Sequence, residues 1–387
     1  MQNFDLYNPT NVVFGKGEVP RIGELTASYG RRVLLVYGLG SVKKTGLYDK
    51  VTGSLREAGV EWVDSGGVKP NPVLSFAREA IGTFKQEKLD AIVAVGGGSV
   101  IDTAKTVAAG SRYDGDVWDF FTGKAGIEDA SPVTVVLTLA AAASEMNGGA
   151  VITNEDTLQK THIVSRHLFP KASILDPVNT FTVPRNYSMY GAVDAIIHVL
   201  EPYFNSSDPD TPLQDRFIEG LIKTIMESAD IIYRQPNNYN ARANMMWGAT
   251  MALNGIASSG AGCTGFPMHM IEHSLSAIYD IAHGAGLAVV APAWMKYNAP
   301  EEPRKYAQFA ERVFDIGGGT PEERALEGIA ALERWFSSVD APVTLEDAGI
   351  PAEDINKIAK NANSLSELWG LPDYTVDVIA DILRLAV

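Results

Sequence analysis

The sequence predicts an α/β domain with a mainly parallel sheet, followed by an all-helical domain. Short apolar runs alternate with helix-length segments through the first half, as in a sheet with helices on both faces. One of those runs breaks into three glycines, Gly96 to Gly98, just before a helix. From about Arg185 onward the β-branched runs nearly vanish and helix-length segments take over.

The elements follow in order. RVLLVYG (Arg32–Gly38) reads as a buried strand, and VTGSLREAGV as the helix after it. EWVDSGG (Glu61–Gly67) is a second strand, followed by a helix in PNPVLSFAREAIGTFKQEK with proline near its start. DAIVAVGGGS (Asp90–Ser99) is a third strand, VIDTAKTVAAG a helix, and PVTVVLTL (Pro132–Leu139) a fourth strand. Past VPRNYSMYGAVDAIIHVLEPYF, helical segments are separated by NSSDPDTP, QPNNYN, NGIASSGAG, GGGTPEE and DAGIPAED. The expected division is a dinucleotide-binding α/β domain over 1–184 and an all-helical domain over 185–387.

Composition narrows the function. A hydrophobic content of 46% with 20% charged residues places the chain of 387 residues among ordinary globular proteins. A net charge of −15 argues against a nucleic-acid or anionic-membrane partner. The basic pairs Arg31-Arg32 and Lys43-Lys44 are local. The single cysteine, Cys263, reads as a small core residue, and no thiolate cluster can bind a metal. Any metal site therefore uses His, Asp or Glu. MQNFDLYNPT lacks the pattern of a signal peptide, and no apolar run is long enough to span a membrane. The cytoplasm is the expected compartment.

VAVGGGSVIDTAK is the first chemical motif. A strand ends, Gly96, Gly97, Gly98 and Ser99 form the turn, and a helix begins. Glycines let the backbone approach a phosphate, and the helix start offers free N–H groups. A plain tight turn has the same look, and the spacing matches neither G-x-G-x-x-G nor a P-loop. Asp102, one turn into the helix, can cap it or face the site. A second turn, YGLGSVKKTG, follows the first strand. A dinucleotide site selective for NAD often carries an acidic residue at such a strand end. Here Gly38 stands there, with Ser41, Lys43 and Lys44 nearby, which points to NADP rather than NAD; a solvated basic turn is the alternative.

The segment MHMIEHSLSAIYDIAHGAG holds three of the six histidines. By spacing alone, HMIEH places His269 and His273 on one helix face with Glu272 between them, the inverted zinc-peptidase pattern. A competing pair is Asp194 and His198 in VDAIIH, four residues apart in an apolar helix. Burying such a pair is costly unless it is partnered or metal-bound. His283 in AHGAG is a further candidate, but a straight helix would put it roughly 21 Å from His269. The chain must turn between them if both bind one ion, and YDIAHGAG offers the break.

GGGSVIDTAK, VDAIIH and HMIEHSLSAIYDIAHGAG together resemble the iron-containing, group III alcohol dehydrogenase family, in particular its butanol dehydrogenase and NADPH-dependent aldehyde reductase branch. NPTNVVFGKG, PNP at Pro70–Pro72 and DPV at Asp176–Val178 extend the resemblance over nearly the whole chain. The resemblance implies a Rossmann-like sheet and a dehydroquinate synthase-like architecture. It implies one divalent metal, Fe(II) or Zn(II), on Asp194, His198, His269 and His283. His273 would then lie beside the nicotinamide as a proton relay or orienting group, and Glu272 would be structural. Gly96 to Ser99 would hold the pyrophosphate, with Asp102, Thr138 and Lys160 near the cofactor and Asn71 and Asn147 along it. Asp102 and His273 are the expected catalytic residues. Gly38, Ser41 and Lys43 match the branch that prefers NADP, with NAD as the alternative.

The implied reaction is reversible hydride transfer between NAD(P)H and a small aldehyde or primary alcohol of the butanol type, and the resemblance also implies a homodimer or larger assembly. Three rival readings stand beside it. A glycerol dehydrogenase-like polyol enzyme would prefer vicinal diols. A metallopeptidase would use HMIEH and need no nicotinamide. A non-catalytic nucleotide-binding protein would tolerate loss of Asp194. One departure from the family pattern concerns TLAAAASEMN, where Ala142 and Ala143 replace an expected Thr and Gly. A methyl at Ala143 restricts φ, and the lost hydroxyl removes a hydrogen bond worth about 1 kcal/mol. The Ala140–Ala143 turn thus bears on cofactor affinity more than on fold.

Overall fold

The computed structural model describes residues 1–387 apart from Pro209 and Cys263. The expected core position of Cys263 therefore lies outside the described residues. Two compact units form: Tyr7–Val183 with Asn237–Asn254, and Met1–Leu6 with Pro184–Pro236 and Gly255–Val387.

The first unit runs β1 (Asn11–Phe14), α1 (Ile22–Ala27), β2 (Arg32–Gly38), α2 (Ser41–Lys44), α3 (Leu47–Glu57), β3 (Glu61–Val68), α4 (Leu74–Gln86), β4 (Ala91–Gly96), α5 (Gly98–Ser111), α6 (Trp118–Phe121) and β5 (Val133–Leu137). A hairpin, β6 (Gly149–Asn154) with β7 (Gln159–Val164), and β8 (Ala172–Leu175) complete it. Six strands make one sheet in the order β1-β8-β5-β4-β2-β3, and every pair is parallel. The continuous apolar runs of the strands follow from burial on both faces. Leu34 and Val36 of β2 enter one core with Ile101, Ala104 and Val107 of α5. Val33 and Leu35 enter the other with Val51 and Leu55 of α3. The order reverses at β2, which has β3 on one side and β4 on the other. Ligands of open α/β sheets bind at the carboxyl ends of strands flanking such a reversal. The turns at Gly38 and Gly96 occupy those two ends.

The second unit is helical: α7 (Arg185–Asn205), α8 (Pro212–Arg234), then, after α9 (Tyr239–Ala252), α10 (Pro267–Tyr279), α11 (His283–Asn298), α12 (Pro303–Phe314), α13 (Pro321–Ser338), α14 (Ile355–Ser366) and α15 (Val376–Arg384). Helix α7 is buried without interruption from Gly191 to Tyr203, so its apolar residues surround it. The GGGTPEE break becomes a capping box, in which Thr320 and Glu323 satisfy each other's backbone N–H groups at the start of α13.

A division into 1–184 and 185–387 leaves out one return of the chain. Helix α9 groups with the sheet, because Met246 enters the sheet core, Trp247 packs edge-on against Phe14, and Thr250 donates to Glu145. In exchange, Met1–Leu6 group with the helices, where the N-terminal amine pairs with Asp208 at 2.9 Å. Among the described residues, no helix is long and apolar enough to cross a membrane.

Candidate metal centre and nucleotide turn

Asp194 and His198 lie one turn apart on the buried stretch of α7. His269 lies in the first turn of α10. That helix stops at Asp280, whose left-handed conformation (φ +52°) ends the hydrogen-bond ladder, and α11 begins at His283. The break in YDIAHGAG is therefore real, and it returns His283 to the cluster. Asp194 Oδ1 is 3.2 Å from His198 Nδ1, 3.8 Å from His269 Nε2 and 3.7 Å from His283 Nε2. The rings of His198 and His269 are 4.4 Å apart, and those of His269 and His283 5.4 Å.

Asp194 Oδ1, His198 Nδ1 and His269 Nε2 are buried and make no hydrogen bond. Buried polar atoms left this way cost free energy, and here they face one another. One carboxylate oxygen and imidazole nitrogens at these distances are a donor set suited to a divalent transition metal. Burial disfavours the Asp194 carboxylate, but His198, His283 and His269 hold it well below the usual carboxylate range. Burial pushes His198 down to about 3 and keeps a lone pair available. Burial also opposes charge on His269, yet Asp194 and Glu201 together raise it to about 9. Metal binding at such a site displaces that proton.

The HMIEH pair does not converge. His269 groups with Asp194 and His198, whereas His273 groups with Glu272 and His283. His273 instead packs edge-on against Trp369, with ring centres 5.0 Å apart, and 5.5 Å from the His283 ring. Glu272 is fully buried and bonded to His283 and Ser276, so it is not free to act as a peptidase base. Its partner His283 lies on the next helix, which the H-x-x-E-H spacing could not reveal. Glu201 was also missed. It lies one turn beyond His198 on the same face, and that spacing was the available signal.

In the sheet unit, β4 ends at Gly96 and α5 begins at Gly98 with no side-chain cap. A Cβ on Gly96 would strike Val100 Cγ2 at 2.4 Å, so glycine there lets α5 leave the strand tightly. Gly97 and Gly98 approach Leu139 and Ala142 of the neighbouring turn. Thr138 donates its backbone N–H to Gly96 O at 3.0 Å. Asp102 is engaged within the protein: its carboxylate accepts from Ser144 Oγ at 2.6 Å and from Val151 N at 3.1 Å. Asn147 donates to Ala142 O at 3.2 Å and accepts from Gly149 N at 2.9 Å. Lys160 and Asn71 form a separate buried pair at 3.0 Å. At the end of β2, Lys43 Nζ lies over the rings of Tyr37 and Tyr48, at 4.9 and 4.7 Å, with Ser41 exposed at the start of α2.

Lys105 was missed in the sequence. It is fully buried and donates to Asn147 O at 2.8 Å, Asn147 Oδ1 at 3.0 Å and Gly149 O at 2.8 Å. A lysine inside the apolar run TAKTVAAG was the signal. Asp102, Lys105 and Asn147 thus brace the segment after β5. That segment contains Ala143, held in the left-handed region at φ +51°.

Residues 9–177 match the family model described as iron-containing alcohol dehydrogenase. Residues 188–386 match that of the C-terminal part of the Fe-containing alcohol dehydrogenase family. The probable NADH-dependent butanol dehydrogenase 1 of Bacillus subtilis (strain 168) is 48% identical over 386 residues, covering 99% of each chain. The NADPH-dependent aldehyde reductase YqhD of Escherichia coli (strain K12) is 37% identical over 391 residues, covering 100% of each. The crystal structure of NADH-dependent butanol dehydrogenase A from Thermotoga maritima superposes with a TM-score of 0.96 at 49% identity, covering 100% of this chain and 99% of that one.

Proposed function

This chain belongs to the iron-containing alcohol dehydrogenase family, and on that premise we propose that it interconverts a small aldehyde and its primary alcohol, of the butanol type, with NAD(P)H as hydride donor. The observation that carries the reading is the convergence of three imidazole nitrogens on Asp194 Oδ1, where that oxygen, His198 Nδ1 and His269 Nε2 are buried without a hydrogen bond. Asp194, His198 and His269, which lie within ligand reach of one another, and His283, whose Nε2 is 3.7 Å from Asp194 Oδ1, would hold one divalent metal, Fe(II) or Zn(II). Such a metal supplies Lewis acidity toward a carbonyl oxygen.

The protein's own residues do the rest. Gly96, Gly97, Gly98 and Ser99, at the start of α5 where no side chain caps the helix, would hold the pyrophosphate through backbone N–H groups. Thr138, Asn147, Asn71 and Lys160 would line the cofactor, and Asp102 holds the segment that carries Asn147 through Ser144 and Val151. Gly38 leaves room at the β2 end, where Ser41 and Lys43 would meet a 2′-phosphate, which favours NADP over NAD. His273, beside His283 and Trp369, would orient the nicotinamide or relay a proton. A homodimer in the cytoplasm completes the reading and rests on the family resemblance.

The test is NADPH oxidation with butyraldehyde. Protein stripped of metal is given Fe(II) or Zn(II) anaerobically, with NADH run alongside. Metal-restored turnover that favours NADPH supports the reading. Absence of turnover with both metals and both cofactors, in protein that still binds NADPH, rejects the substrate class.

A further inference from the structure

Two carboxylates lie behind the candidate metal centre with no exposed surface, Glu201 on α7 and Glu272 on α10. Glu201 Oε1 accepts the backbone N–H of His269 at 2.9 Å and faces His269 Nδ1 at 3.0 Å. Its Oε2 accepts from Asn205 Nδ2 at 3.1 Å. Glu272 reaches across to α11, where Oε2 meets His283 Nδ1, while Oε1 accepts from Ser276 Oγ. In both cases one ring nitrogen is committed to a glutamate and the other faces Asp194, at 3.8 Å for His269 and 3.7 Å for His283.

The glycines of AHGAG fit this arrangement. A Cβ on Gly286 would meet Glu272 Oε1 at 2.6 Å and Cγ at 2.8 Å, so glycine clears the space that Glu272 fills. A Cβ on Gly284 would meet Tyr190 O at 2.0 Å, so glycine also lets α11 lie against α7.

A carboxylate bonded to Nδ1–H fixes the tautomer, stops ring rotation and makes Nε2 a better donor. Burying two further carboxylates is costly unless positive charge compensates them. We infer that Glu201 and Glu272 are positioning residues of the metal centre. Each aims one imidazole Nε2 at the point defined by Asp194, and both add negative charge that holds a divalent cation. This inference rests on the metal reading above. A merely structural role is the rival: Glu201 also accepts a first-turn N–H of α10, as a helix cap would.

The test uses Co(II) as the probe, titrated into metal-stripped full-length protein against a competing chelator. Wild type is compared with Glu201→Gln, Glu272→Gln and Gly286→Ala. The last variant keeps every ligand and every charge but displaces the Glu272 carboxylate. The expected result is a Kd for Co(II) weaker by about 10- to 100-fold in each glutamine variant. Gly286→Ala shifts it in the same direction, the visible Co(II) band changes, and the melting point of the metal-free protein stays near wild type. A Co(II) affinity within twofold of wild type in the folded variants overturns the inference and leaves the metal site standing. So does a loss that only mirrors unfolding of the metal-free protein. If Glu272→Gln does not fold, Gly286→Ala decides for Glu272 by the same criterion; if Glu201→Gln does not fold, Glu201→Asp, which keeps the charge but draws the carboxylate back from His269, decides for Glu201. Failure of wild type itself to take up Co(II) overturns the metal reading, and this inference with it.

Discussion

Asp194 Oδ1 lies 3.7 Å from Nε2 of His283, although the two residues belong to different helices. Two local features produce this. The left-handed Asp280 ends α10, and Gly284, next after His283, lets α11 approach α7. The same oxygen faces His198 Nδ1 at 3.2 Å and His269 Nε2 at 3.8 Å, so it is the hub of the donor set.

Asp194→Ala removes that hub while leaving the three imidazoles in place. The expected outcome is metal binding weaker by at least about 100-fold, with aldehyde reduction falling at least as far. NADPH binding should persist, because the glycine turn belongs to the other compact unit. Metal content, turnover and NADPH titration on one preparation check all three. Activity that survives the loss of Asp194 would contradict a metal-dependent reaction.

Gly38→Asp tests the cofactor reading. Glycine is not demanded there by sterics: a Cβ would find its nearest neighbours at ordinary contact distance, Val68 O at 3.6 Å and Val100 Cγ2 at 3.9 Å. A carboxylate at this strand end accepts from a ribose 2′-OH and repels a 2′-phosphate. The ratio of kcat/KM for NADPH over NADH should fall by about tenfold or more. An unchanged ratio would remove Gly38 from the specificity argument.

Legibility in the sequence followed how local each interaction is. The run from Ala91 through the glycine turn to α5 could be read because strand, turn and helix signals are adjacent. Strands β1, β8 and the β6–β7 hairpin were not assigned. Asn11–Phe14 and Ala172–Leu175 are four residues each, and they become strands only by pairing with each other and with β5. The helical pattern of α9 was visible, but not that Met246 and Thr250 would fasten it to the sheet unit. At the metal centre, Asp194 and His198 are visible by helical spacing. Glu272 is not, because its partner is supplied by the next helix.

Ala143→Gly should stabilise the protein. The residue is buried with φ +51°, where a Cβ costs about 1 kcal/mol or more. Glycine relieves that cost but adds freedom to the unfolded chain. The net gain expected is about 0.5–1 kcal/mol, read as a higher urea midpoint at unchanged slope. A lower midpoint would show that the methyl packs better than the backbone suffers. Tighter NADPH binding in the same variant would tie the turn to the cofactor as well.

Lys105 gives a prediction about pH. Burial lowers its pKa from 10.5 to about 8, against the opposing pull of Asp102 and Glu145. Between those two values the unfolded chain holds a proton that the folded protein has released. Stability from this group therefore rises with pH from about 8 to about 10.5, with a slope of at most about 1.4 kcal/mol per unit. Below about pH 8 the lysine is protonated in both states and contributes no slope. Lys105→Met should abolish that segment of the profile, which is measured as the difference in unfolding free energy between wild type and variant at pH 7, 8 and 9. The variant also strips Asn147 and Gly149 of their ammonium donor, so its KM for NADPH should rise more than its kcat falls if the braced segment serves the cofactor. Parallel wild-type and Lys105→Met curves across pH 7 to 9 would mean that the three acceptors keep the ammonium charged in the folded protein throughout this range.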